Sequence, residues 1–284
     1  MVSSPRNPGR AWGTHEYMNR PSNSPKEVGW GAANRPAVPG LLLVLATLLL
    51  AWTSVASAEV FSHAALDTVL QAHLHDGRVA YGALARDRGP LDRYLAATEN
   101  ARPDTWTREE QIAFWVNVYN ARVLEGVIRR PGIESVLDVG KILFLPTLGF
   151  FKDKFGVAGE RLSLNDIEHN ILRERFDEPR IHFVLNCASA SCPLLPQHPL
   201  TAAGLDEQLE AATVQFLADR SRNRIGPSRS LELSSIFKWY GNDFKKSAGS
   251  VRKFIELHWP GEERFAPDLP VRFLDYDWSL NGSW

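Results

Sequence analysis

The stretch TWTREEQIAFWVNVYNARVLEGVIRR, residues 105–130, constrains the fold more than any other part of the chain. Thr107 followed three residues later by Glu110 is a capping-box pattern, in which a hydroxyl and a carboxylate each satisfy a backbone N–H left over at a helix start. A helix is therefore expected to begin there. Ile112, Val116, Tyr119, Val123 and Val127 recur at helical spacing and give one stripe, with Trp115, Asn117 and Asn120 beside or across from it. Pro131-Gly132 stops the helix.

Elsewhere helical and strand signals are mixed. FSHAALDTVLQAHL puts Leu66, Val69, Leu70 and Leu74 at helical spacing, and PLDRYLAATENA reads as a second short helix. KILFLPTLGFFKDKFGVAGERLSL is rich in Phe and Gly and reads as a loop with a hairpin around KFGVAGERLSL. Ser163 opens a helix over LNDIEHNILRERF, with Leu164, Ile167 and Ile171 inward. In RIHFVLN, Ile181, Phe183 and Leu185 alternate with His182, Val184 and Asn186, the period-two signal of a strand ending at Cys187. GLDEQLEAATVQFLADR is helical, SLELSSIF is a short strand leading into a helix around FKWYGNDF, SVRKFIELHW is helical, and VRFLDYDWSLN is a terminal strand. Helices outnumber strands and several strands are not adjacent. The prediction is one α+β domain, mostly helical, with a small β-sheet.

GLLLVLATLLLAW, residues 40–52, is apolar and uncharged, and Ala56-Ser57-Ala58 after it fits an A-x-A cleavage pattern. The apolar core is about a dozen residues, whereas a membrane span needs ~20, so a cleaved secretory signal is expected. An uncleaved N-terminal anchor is the alternative. The expected division is a polar, disordered leader over 1–39, the signal region and cleavage site over 40–58, and one domain over 59–284. Met18, the only methionine besides Met1, leaves the start codon open. The leader holds five of the 32 Lys/Arg and two of the 33 Asp/Glu, leaving residues 59–284 with 27 basic and 31 acidic residues, net −4. With no basic run, a nucleic-acid partner is not expected. The chain is expected in the periplasm or secreted, without an integral membrane domain after cleavage, where disulfides are permitted.

AFWVNVYNA (Ala113–Ala121), SLNDIEHNILR (Ser163–Arg173), RIHFVLNCASASCPLL (Arg180–Leu195), IFKWYGNDF (Ile236–Phe244) and YDWSLN (Tyr276–Asn281) occur in that order. Together they resemble the family catalogued as domain of unknown function 547 (DUF547), over roughly Phe61 to Asn281. The resemblance implies that these blocks belong to one domain, found in many exported bacterial proteins, and it carries over no established activity. The polar leader lies outside the pattern.

Both cysteines fall in HFVLNCASASCPLLP, residues 182–196. Cys187, at the end of an expected strand and before four small residues, is well placed to meet a ligand, and turn amides can stabilise an anion there. A neighbouring base would make it a nucleophile, and His169 is the candidate, with Asn117, Asn120 or Glu168 to orient the imidazole. That reading is a thiol-dependent hydrolase or transferase acting on an acyl or amide bond. The other reading is a disulfide with Cys192 in a non-catalytic binding or scaffold domain of the cell envelope, feasible if the Cα atoms approach within ~6 Å. His169, His182, Cys187 and Cys192 match no compact ligand motif, so neither metal nor cofactor is expected.

Trp115, Asn117, Tyr119 and Asn120 on the long helix, Glu168, Arg180, His182 and Asn186 around the cysteine block, and Trp239 with Tyr240 further on are the candidate binding residues. Asn117 and Asn120 share a helix face and either line a pocket or pin neighbouring backbone. Glu168 and His169 are adjacent and point about 100° apart on an α-helix, so they are not a ready-made acid–base pair. Arg180 either pairs with Glu168 or meets a ligand carboxylate. Trp239, Tyr240 and Trp278 either pack in the core or form a platform. The partner expected is a small-molecule or peptide ligand.

Overall fold

The computed structural model describes residues 61–138, 149, 151–225, 230–261, 265–266 and 268–284. The leader, apolar run and cleavage pattern expected over residues 1–58 lie outside the described residues, as does most of the Phe- and Gly-rich loop before residue 149. Residues 57–284 form one compact unit.

The chain enters through α1 (Ala64–His73), turns through β1 (Leu74–His75) and β2 (Arg78–Ala80), and passes α2 (Tyr81–Arg86) and α3 (Gly89–Glu99) to reach the long helix α4 (Arg108–Ile128). The capping box is formed: the Glu110 carboxylate accepts from Thr107 N–H at 2.8 Å, and the Thr107 hydroxyl accepts from Glu110 N–H at 3.3 Å. From Ile112 onward α4 is buried nearly all round, with α2 and α3 packed against it. A buried ion pair, Arg122 to Glu125 at 2.9 Å, is tied to the next element because Arg122 also donates to the Gly156 carbonyl at 2.6 Å.

That element is the expected hairpin, β3 (Phe155–Val157) paired antiparallel with β4 (Glu160–Leu162). Ser163 then starts a helix, as predicted. Its hydroxyl accepts from Asp166 N–H at 3.2 Å and its own N–H donates to the Asp166 carboxylate at 2.9 Å. The helix itself, Asp166–Arg173, is a π helix, a widened form that recurs at functional sites.

The predicted strand over RIHFVLN is a correction. The structure has a 3-10 helix, Pro179–Phe183, followed by irregular chain. Every residue from Ile181 to Asn186 is buried, so the alternation does not mark a wet and a dry face. Pro179 removes a ladder donor. Asn120 on α4 takes the Val184 carbonyl and the Asn186 N–H at 2.8 and 2.9 Å, the groups a neighbouring strand would have bonded.

The remaining elements are α5 (Leu205–Ala218), β5 (Arg224–Ile225), β6 (Leu231–Leu233), α6 (Ile236–Trp239), α7 (Gly241–Ala248), α8 (Val251–His258), β7 (Val271–Phe273) and β8 (Gly282–Ser283). The long terminal strand is a second correction. Only β7 and β8 are strands, and the chain between them is irregular, touching Ser135 and Ser189 through single bridges. β8 lies parallel to β2, and a Cβ on Gly282 would fall 2.1 Å from the Val79 carbonyl, so no larger residue fits there. β6 pairs antiparallel with β5 and parallel with β7. Among the described residues, helices with three small sheets of two or three strands make the architecture α+β. No described helix is long and apolar enough to cross a membrane.

Two hydrophobic clusters hold these elements. The first surrounds α4 and takes in α1, α2, α3, the π helix and the start of α5. The second is rich in phenylalanine, with Phe183, Phe216, Phe237, Phe244 and Phe254 against Leu231 and Leu233. Residues of both clusters meet around one cavity.

Candidate functional site

The cavity has a volume of about 190 Å³, and its floor is Glu168. The Glu168 residue is 8 % exposed, and its two carboxylate oxygens accept from Tyr119 on α4 at 3.1 Å and from Tyr240, between α6 and α7, at 2.5 Å. Burial, reinforced by the nearby carboxylate, pushes both phenols well above their ordinary value, so both remain protonated donors. The π helix thus delivers a carboxylate to a point where the α4 core and the phenylalanine core each contribute one hydroxyl.

Behind Tyr240 lies a second polar chain. His182 stacks on the Tyr240 ring at 3.9 Å, and its Nε2 is 2.8 Å from Asp243. Arg173 forms a fork on the same carboxylate, Nε at 2.6 Å and Nη2 at 3.0 Å. Burial alone would raise the Asp243 carboxyl, but the hydrogen bonds and charge of His182 and Arg173 outweigh it and hold it below the usual carboxylate range. Burial lowers His182, and the Asp243 hydrogen bond only partly offsets this. An ionised Asp243 only accepts, so a neutral His182 carries its proton on Nε2.

Cys187 and Cys192 also line the cavity. They are joined by a disulfide with Cα atoms 6.2 Å apart. The turn that carries them is fastened from several sides. Asn186 donates to the Pro193 carbonyl at 2.7 Å and accepts from Ala188 N–H at 2.8 Å and from Asn281 at 3.0 Å. Ala188 adopts φ +65°, a left-handed conformation that costs a non-glycine residue of order 1 kcal/mol and tends to occur at functional sites. The Tyr276 hydroxyl reaches both sulfurs, 3.2 Å to Cys192 and 3.4 Å to Cys187.

Aromatic rings frame the mouth. Trp239 stacks on Trp278 at 5.6 Å between centroids, and Tyr276 sits 4.8 and 4.6 Å from the two indoles. Trp239 is 46 % exposed, so the platform opens to solvent.

Of the candidates taken from the sequence, Tyr119, Glu168, His169, His182, Cys187, Cys192, Trp239 and Tyr240 line this cavity. His169 Nδ1 is 3.0 Å from Arg173 and 4.0 Å from Glu168, and among the described residues no hydrogen bond joins it to Cys187. The other candidates lie elsewhere. Asn117 holds the Leu200 backbone at 2.8 and 2.9 Å, and Asn120 and Asn186 fasten backbone as described. Trp115 is buried against Phe114, its indole N–H without a partner among the described residues. Arg180 pairs with Glu178, Asp206 and Glu210 at 2.8, 2.7 and 3.3 Å, and none of its partners is Glu168. Tyr276 and Phe151 line the cavity without having been singled out. Tyr276 lies two residues before Trp278 in a segment that is irregular rather than a strand, so no local period marked either Tyr276 or Phe151.

Among the described residues no group of three or more His, Cys, Asp or Glu is arranged to hold a metal ion. A larger cleft of about 340 Å³ lies beside Phe61, Trp106 and Pro199, but its polar groups are already engaged. His63 is 2.9 Å from the Tyr94 hydroxyl and lowered by burial to about 4, and Asp67 is 2.9 Å from His198. In the smaller cavity the Glu168 carboxylate has two hydroxyls as its hydrogen-bond partners.

No curated protein and no solved structure matches the chain. Residues 103–217, which supply α4, the π helix, the disulfide turn and α5 but not the aromatic residues from 239 onward, match the family described as Protein of unknown function, DUF547, and the domain they build belongs to that family.

Proposed function

We propose that the domain is an exported binding module and that the cavity over Glu168 takes an ammonium-bearing group of a small molecule or peptide. One observation carries the reading. Among the described residues lining the cavity Glu168 is the only carboxylate and none is Lys or Arg, and its hydrogen-bond partners are two tyrosine hydroxyls, with His169 4.0 Å away. Trp239, Tyr276 and Trp278 line the same cavity, and an aromatic face attracts a cation by about 0.5–2 kcal/mol. The Cys187–Cys192 disulfide serves as a wall, in keeping with export through the signal pattern over 40–58.

The test is a tryptophan-fluorescence titration with choline and with its neutral isostere 3,3-dimethyl-1-butanol. Choline is expected to give a saturable change that Glu168→Gln abolishes, and the alcohol none. Equal response to both compounds overturns the charge selection; no response to either overturns the ammonium site.

The second reading keeps Cys187 as the nucleophile of a hydrolase or transferase, with His169 as base. It is favoured by the placement of Cys187, His169 and His182 around one cavity. With its sulfur bonded to Cys192, Cys187 can act this way only after reduction. A burst with p-nitrophenyl acetate in the presence of dithiothreitol, lost in Cys187→Ser and slowed in His169→Ala, is its expected signature.

A further inference from the structure

We propose that the Cys187–Cys192 bridge is a thiol–disulfide exchange site, attacked at Cys187 by an external dithiol, with Cys192 leaving as the thiolate. The proposal is independent of what the cavity binds.

The two sulfurs are not equivalent. Cys187 is partly exposed on the cavity wall, whereas Cys192 is 4 % exposed. An incoming thiolate therefore meets Cys187 first. Both sulfurs meet hydroxyls, Cys187 Sγ those of Ser189 at 3.3 Å and Tyr276 at 3.4 Å, but only Cys192 Sγ also receives a backbone N–H, from Cys187 at 2.9 Å, and it lies nearer the Tyr276 hydroxyl, at 3.2 Å. Burial keeps Tyr276 protonated, so its hydroxyl remains a donor throughout. Arg222, ion-paired with Asp219, fastens the same turn by donating to the carbonyls of Ala190 at 2.8 Å and Cys192 at 3.1 Å. Exchange is faster when the departing sulfur is stabilised as a thiolate, and the Cys187 N–H and the Tyr276 hydroxyl are donors placed to do that.

The turn does not depend on the bridge for its shape. Cys192 N–H donates to the Ser189 carbonyl at 3.0 Å, Ala190 N–H to Ser279 at 2.7 Å and Ser191 N–H to Asp277 at 3.1 Å, in addition to the Asn186 bonds. The bridge closes a loop of only five residues' separation, which stabilises less through chain entropy than a long loop would. Opening it therefore leaves the two thiols facing each other in a folded domain, as reversible exchange requires.

The step balances as follows. A thiolate of the dithiol forms a bond to Cys187 Sγ, the Cys187–Cys192 bond breaks, and its electron pair leaves on Cys192 Sγ. The dithiol's second thiolate attacks its own sulfur in the mixed disulfide and expels Cys187. The dithiol is oxidised to a disulfide, the protein is reduced by two electrons, and the dithiol's two protons end on Cys187 and Cys192.

The experiment is reduction of the native full chain by dithiothreitol, quenched with N-ethylmaleimide and read by intact mass. The bridge is expected to open without denaturant, and Tyr276→Phe to slow opening at least fivefold. In a second measurement, Cys192→Ser is expected to form a mixed disulfide with oxidised glutathione at Cys187, whereas Cys187→Ser leaves Cys192 unmodified. Reduction only at denaturant concentrations that unfold the domain overturns the proposal. So does a wild-type rate in Tyr276→Phe, or equal capture of glutathione by either cysteine.

Discussion

On α4, the buried side chains of Asn117 and Asn120 turn to irregular backbone: Asn117 brackets Leu200, and Asn120 bridges the Val184 carbonyl and the Asn186 N–H. On the neighbouring π helix, Glu168 is just as enclosed by protein but faces a cavity and accepts only from hydroxyls. The difference follows from what each group can do. An amide has both a donor and an acceptor, so it can saturate a peptide unit and leave nothing over. A carboxylate is an acceptor that also carries charge, and two phenols satisfy its oxygens while leaving that charge for something else. The α4 amides therefore build the site, and the π-helix carboxylate presents it.

The sharpest way to break this comparison is to truncate both residues. Asn120→Ala leaves two buried backbone groups without partners, each costing about 1–3 kcal/mol, so a loss of about 3 kcal/mol is expected in urea unfolding. Glu168→Gln keeps an acceptor for one tyrosine, so its stability is expected to stay within about 1 kcal/mol of the parent chain. Its choline response should fall at least tenfold. If Asn120→Ala is as stable as the parent while Glu168→Gln unfolds, the two helices have been assigned the wrong way round.

The sequence displayed one of these roles far better than the other. The capping box at Thr107, the hairpin at 155–162 and the stop at Pro131 are written in residues a few positions apart, and the structure follows them. Glu168 meets Tyr119 across 49 positions and Tyr240 across 72, a convergence no local period encodes. RIHFVLN was misleading for the same reason. Its alternation is genuine, but the partner that satisfies its backbone is a side chain on α4 rather than a strand. Asn120 was visible as a polar residue on an apolar helix, with pocket lining and backbone pinning both open, and only the fold shows that it pins.

A pH titration sharpens the comparison by a smaller effect, because α4's amides do not ionise and the groups behind Tyr240 do. Burial pushes His182 below its ordinary value, so the folded chain binds that proton less readily than the unfolded chain. Stability present above about pH 6.5 should therefore decline as the pH falls below it. Asp243 is held below the usual carboxylate range, so its contribution is present above about pH 3.9 and is lost on further acidification. Both groups act in the same direction. The urea midpoint should fall as the pH drops below about 6.5, and His182→Gln should remove part of that fall, the rest belonging to His63 and His73, which burial also lowers. A midpoint that rises on acidification between pH 7 and 5 would mean that His182 is charged in the fold.

The smallest expected effect separates the platform from the floor. Trp239 is 46 % exposed and stacks on Trp278 and Tyr276 rather than filling either core, so Trp239→Ala should change stability by about 0.5 kcal/mol or less. One cation–π face lost at a partly solvated site corresponds to about 0.5–1 kcal/mol, a two- to fivefold weaker choline response. Trp239→Phe, which keeps a ring face, should recover part of it. A Trp239→Ala chain that matches Glu168→Gln in lost affinity would place the cation over the rings rather than against the carboxylate. A chain that binds unchanged would leave Glu168 as the sole determinant, with Trp239 only shielding the Trp278 ring from water.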